Sequence, residues 1–203
     1  MRTYAAVFLC ILALALTACH KRAATEGASN SQAKLDACAF LTKEEIQAVQ
    51  GSTVTATKGS ESSDGNFRIS QCFFTTAESN RSVSFVVTQR DPGSQDKRSP
   101  TDFWKETFGS YHEGEEKESP GDKEKKESLR EQSRAKGEEE KGAPPKKIKG
   151  IGDDAYWVGN RVGGALYVLK KNTIVRISLG GPDKEEARIE KSKTLAAKAL
   201  GRL

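Results

Sequence analysis

Residues 113–147 constrain the fold more than any other stretch, because no core can be built from them. Their 35 positions hold 11 acidic and 10 basic side chains, and Leu129 is the one large apolar residue. A segment of that composition cannot bury enough surface to offset the entropy of ordering it. It reads as a solvated insertion, disordered or a lone charged helix around Asp122 to Lys136. An electrostatic docking role is the other reading, but the near-cancelling signs argue against a strongly charged partner. The residues able to fold are therefore split into two blocks.

Each block reads as three strands and a helix. In the first, Thr42 with Glu45 makes a capping box, Leu41 staples onto Ile46, and Gln50-Gly51 ends the helix so begun. Alternation then predicts strands over Thr53 to Lys58, Phe67 to Thr76 and Ser82 to Gln89. The connecting segments GSESSDG and AESNR are turn-rich, which points to an antiparallel meander. Ser99-Pro100-Thr101-Asp102 opens a second helix with an apolar stripe of Phe103, Trp104 and Phe108. The second block predicts strands near Ala155 to Val158, Ala165 to Leu169 and Ile174 to Leu179, the last two joined at Lys171-Asn172. Gly180-Gly181-Pro182 breaks the sheet, and Asp183 with Glu186 caps a final helix. That helix gathers Ile189, Ser192, Leu195, Ala196, Ala199, Leu200 and Leu203 on one face, and Lys198 and Arg202 suit its C-terminal end. Three strands and one helix are marginal alone, so the blocks should merge. The expected fold is α+β: a single domain over 35–203 with a roughly six-stranded, mostly antiparallel sheet, in the order αβββα, insertion, βββα.

The N-terminus carries an address. Arg2 precedes a 12-residue apolar run, Ala5 to Leu16, and Leu16-Thr17-Ala18-Cys19 looks like the lipobox of a bacterial lipoprotein signal peptide. The run is shorter than the roughly 20 apolar residues a membrane helix needs. Residues 1–18 are thus expected to be a removable signal, with Cys19 as the lipidation site. Two or more acyl chains anchor a protein stably where one does not. Residues 19–34 are small and polar, a flexible tether reaching very roughly 20 Å. The residue after Cys19 is His20 and not Asp, which favours the outer membrane in a two-membrane envelope.

Cys10 leaves with the signal and Cys19 carries lipid, so Cys38 and Cys72 remain. In an exported chain such a pair is expected to be a disulfide, and its closed loop is worth about 3–4 kcal/mol by chain entropy. No Cys-x-x-Cys spacing exists to make a redox-active pair. The chain carries 33 basic and 28 acidic side chains, a formal +5. That balance is too mild and too evenly mixed to argue for nucleic acid.

Asp36-Ala-Cys38-Ala-Phe-Leu41-Thr42-Lys-Glu-Glu45-Ile46, with Cys72 and Gly150-Ile-Gly152-Asp153-Asp154-Ala155-Tyr156-Trp157, resembles uncharacterised bacterial lipoproteins with a D-x-C-x-L-L-T-x-x-E-I pattern. Phe40 stands where Leu is usual and Asp154 where Glu is common. The resemblance spans most of 35–203 outside the insertion. It implies a lipid-anchored extracytoplasmic α+β domain with a disulfide, and it transfers no catalytic residue.

The residues offer little chemistry. Of the two histidines, His20 lies beside the lipidation site and His112 at the edge of the charged insertion, so a Ser-His-acid triad or a zinc site lacks a histidine held in a packed site. Gly159 to Gly164 lacks the Lys-Ser/Thr of a phosphate loop and reads as a hairpin. Asp153 and Asp154 are the candidate carboxylates for a cation or for acid–base work, against a plainer role in a turn. Tyr156, Trp157, Arg161, Tyr167 and Arg176 are the candidate binding face. No catalytic residue, metal or cofactor is assigned. The expectation is a non-enzymatic binding or assembly module on the periplasmic side of the envelope, with a membrane contact through Cys19 and an envelope protein, lipid or cell-wall partner. The alternative is an enzyme or cation-binding protein using Asp153 and Asp154.

Overall fold

A computed structural model describes residues 35–112, 144–160 and 163–203. A 3₁₀ turn, Ala37–Phe40, leads into α1, Lys43–Gln50. The capping box is present: Thr42 Oγ1 accepts from the Glu45 N–H at 3.2 Å, and Glu45 Oε2 accepts from the Thr42 N–H at 3.0 Å. Gly51 closes the helix in the left-handed region. Strands β1, Val54–Ser63, β2, Phe67–Thr76, and β3, Val83–Arg90, form the first meander, and α2, Pro100–His112, follows it. At its start Ser99 and Asp102 bond reciprocally, Ser99 Oγ accepting from the Asp102 N–H and Asp102 Oδ2 from the Ser99 N–H. After β4, Lys146–Lys147, come β5, Asp154–Gly159, β6, Gly164–Lys170, β7, Thr173–Leu179, and the closing helix α3, Glu185–Leu200.

All pairings are antiparallel and the two blocks share one sheet, in the order β1-β2-β3-β7-β6-β5-β4. The α+β single-domain expectation holds, with seven strands where six were read. The extra strand is β4, whose Lys146 and Lys147 pair with Trp157 and Tyr156 on β5. Those lysines end the charged segment and carry no apolar signal. Strand β1 also runs five residues past Lys58, through Gly59-Ser-Glu-Ser-Ser63, and turns only at Asp64 to Asn66. Past Val54 every β1 side chain is exposed, so backbone pairing holds the strand and its composition is free.

The blocks meet at β3 and β7, where Val83, Phe85 and Val87 face Leu179, Ile177 and Val175. With Cys72, Phe74, Ala155, Trp157, Leu166 and Val168 they build one face, covered by the 3₁₀ turn, α1 and α3. There α3 contributes Ile189, Leu195, Ala196 and Ala199, while Leu203 stays exposed. The capping expected of Asp183 and Glu186 does not form: Lys184 is the N-cap, and the helix start has no side-chain cap hydrogen bond. Asp183 instead holds Lys191 at 2.6 Å.

Two long-range ties fix the covered face. Cys38 and Cys72 form the disulfide, with Cα atoms 5.0 Å apart and a sequence separation of 34, joining the N-terminal turn to β2. Glu45 on α1 receives both terminal nitrogens of Arg202 at 2.8 Å, and Lys198 lies 3.6 Å away. The Arg202 bonds, aided by the Thr42 N–H and opposed by partial burial, lower the Glu45 pKa to about 2.

Candidate functional site

Among the described residues, α2 is the element that roofs the opposite face of the sheet. Strand parity places Ile174, Leu169, Tyr156 and Tyr167 there, and Trp104 and Phe108 of α2 settle over them. Phe108 stacks on Tyr156 with centroids 4.9 Å apart and leans on Tyr167 at 5.7 Å. At the far end Phe103 meets Phe67 edge-on at 5.8 Å. Beyond the helix the face carries Phe73, 41% exposed, with half-buried Gln71, Ser84, Val86, Arg176 and Ser178.

Below α2 lies a buried polar cluster. The Asp154 carboxylate accepts from Trp104 Nε1 at 2.8 Å, from its neighbour's N–H on Ala155 at 2.9 Å, and from Lys147 Nζ. Lys147 also sits 4.8 Å from the centre of the Tyr156 ring. Burial disfavours its charge, but the Asp154 carboxylate and Tyr156 outweigh burial and raise its pKa above the ordinary lysine value. A buried carboxylate with this many donors is satisfied in place.

Asp153 points elsewhere. It accepts from Lys170 Nζ at 3.0 Å and from the Lys171 N–H, and these donors hold its pKa below the usual aspartate value. Its own N–H donates to Leu169 O at 2.8 Å. Asp153 thereby locks the β6–β7 turn, where Lys171 takes a positive φ of 48°. Gly152 makes this approach feasible, since a Cβ there would stand 2.6 Å from the Leu169 carbonyl oxygen. The two aspartates serve two separate structures, and no group of three or more metal-ligating side chains occurs among the described residues.

The five candidate binding residues do not share a surface. Trp157 is turned to the covered face, 2% exposed, its indole lying over the paired Gly159 and Gly164. A Cβ on Gly159 would fall 2.5 Å from its Nε1, and one on Gly164 2.7 Å from its Cε2. This corrects the expected grouping with Tyr156: neighbours on a strand point to opposite faces. Tyr156 is on the correct face but wholly buried beneath α2. Arg161 lies outside the described residues, as do Cys19, the tether and residues 113–143 of the charged segment.

Tyr167 and Arg176 remain together, directly opposed across β6 and β7. Arg176 Nε donates to the Tyr167 hydroxyl at 3.1 Å, with the guanidinium 5.7 Å from the ring centre. They line a pocket of about 460 Å³ with Val158, Ala165, Ser178 and the glycines of the β5–β6 hairpin. The small residues that shape this pocket were read in sequence only as hairpin punctuation. No helix among the described residues is long and apolar enough to cross a membrane. No protein-family model, curated protein or solved structure matches the chain.

Proposed function

We propose that the chain is a lipid-anchored envelope protein, held by acyl chains on Cys19 at the periplasmic side and favouring the outer membrane. On this reading its 35–203 domain is a non-enzymatic binding or assembly module. The address rests on Leu16-Thr17-Ala18-Cys19 and its preceding apolar run. The Cys38–Cys72 disulfide fits an oxidising compartment and would be out of place in a reducing cytosol. The observation that carries the binding part is the open area of the sheet beside α2, with an arginine, a tyrosine and a pocket in it. Both motif aspartates are engaged in structural contacts, which leaves binding better supported than catalysis.

Growth with radiolabelled palmitate tests the anchor. Label should enter the protein, and Cys19→Ser should abolish it and release the chain into the soluble periplasmic fraction. Absence of label from the unaltered protein sinks the reading.

A further inference from the structure

We infer that the pocket beside Arg176 is a binding site for a monocarboxylate carried on a compact apolar body. The inference rests on the domain being a binding module and names the chemistry it binds. Its first support is a contrast among the cations. Arg68, Arg81, Arg98 and Arg202 are each paired with a glutamate and Lys147 with Asp154, while Arg90 donates to the Asp96 backbone carbonyl. Arg176 has no acidic partner among the described residues; its contacts are the Tyr167 hydroxyl and ring.

The geometry of those contacts leaves a defined vacancy for two oxygens. The Tyr167 bond uses only Nε, so both terminal nitrogens of the guanidinium keep their protons for a planar partner. Tyr167 accepts that bond, and its own hydroxyl proton is left to donate. Phe108 packs against the Tyr167 ring from above and holds it in place. Ser178 gives its proton to the Gly164 carbonyl at 2.9 Å, so it offers the ligand only an acceptor.

Charge and shape narrow the class. Arg176 is the one cation among the lining residues described, and it balances one negative charge. Phosphate could keep the contact to the guanidinium, but it has no apolar body to set against Val158 and Ala165. Val158, Ala165 and the hairpin glycines supply the rest of the wall, suited to a small apolar body. The volume, about 460 Å³, falls within the range typical of small-ligand sites.

Calorimetric titration of the full-length protein in neutral detergent tests this with pivalate, its neutral analogue pivalamide, and inorganic phosphate. Pivalate should bind, with pivalamide about tenfold weaker or more, the factor expected when a charge-assisted hydrogen bond is lost, and phosphate weaker for want of an apolar body. Arg176→Gln should weaken pivalate by a similar factor, and Arg176→Lys, which keeps the charge and loses the fork, by less. N-acetyl-alanyl-alanine, titrated beside its C-terminal amide, separates two sources of the same group. Tighter binding than pivalate assigns the site to peptide C-termini, and weaker binding to free small acids. Equal affinity for pivalate and pivalamide, or undiminished pivalate binding by a folded Arg176→Gln protein, overturns the proposal. If Arg176→Gln fails to fold, the acid–amide comparison on the unaltered chain and the Arg176→Lys value decide it. Failure of all carboxylates to bind while palmitate still labels Cys19 removes the site and leaves the envelope reading standing; the opposite result does the reverse.

Discussion

The two faces of the sheet are made from the same strands and have been used in opposite ways. One is sealed by the N-terminal turn, α1 and α3, with a disulfide and the Glu45–Arg202 pair tying its cover to distant parts of the chain. The other, among the described residues, has one helix laid across one end, with Phe73, Arg176 and the pocket outside it. The difference teaches that strand parity sorts these residues: alternate positions of β5, β6 and β7 go to the sealed core or to the face that carries the proposed site. Substitutions one residue apart should therefore differ greatly in effect.

The sealed face should give the largest losses. Trp157→Ala empties the volume above the Gly159–Gly164 pair and should cost about 3–5 kcal/mol in denaturant unfolding. Replacing Cys38 and Cys72 together with serine should cost about 3–4 kcal/mol, and reductant should reproduce that loss in the unaltered protein. On the partly roofed face, Trp104→Phe keeps the ring under α2 but removes one of the donors to Asp154. A loss of about 1–2 kcal/mol is expected, and one as large as that of Trp157→Ala would break the contrast between faces.

Acid titration sharpens the comparison further. The Glu45 pKa is lower folded, about 2, than its ordinary 4.5. Its contribution is thus fully present above pH 4.5 and is lost as pH falls toward 2. Unfolding midpoints measured across that window should drop in the unaltered protein and drop less in Glu45→Gln. Smallest of all, Arg176→Gln should leave stability within about 0.5 kcal/mol, since the side chain is half-buried and tied by one hydrogen bond to another side chain.

Much of the scaffold was legible because its signals are local. The starts of α1 and α2 were readable from Thr42 with Glu45 and from Ser99 with Pro100 and Asp102, each a contact within one turn, whereas the cap expected of Asp183 and Glu186 at α3 does not form. Strands β2, β3, β6 and β7 were readable because one side of each is in the core and their alternation reports it. Strand β4 and the second half of β1 were not, since paired backbone fixes them and side chains there touch little. The site was half legible. Tyr167 and Arg176 face each other across a tight hairpin, a distance the turn at Lys171-Asn172 determines. Tyr156 shares their side of the sheet, but that α2 would bury it depends on where a helix from the other block comes to rest. Trp157 was misgrouped through composition, where alternation along the strand separates it from Tyr156.

The meeting of β3 with β7 has a consequence for how the molecule is made. Until Thr173–Leu179 has been synthesised, the first meander ends in a strand with one unsatisfied edge, and its Val83, Phe85 and Val87 lack their later neighbours. Such an edge is a template for any other extended chain. Pairing with β7 closes that edge, and the finished sheet keeps as its outer edges only β1, whose side chains past Val54 are exposed, and the two-residue β4.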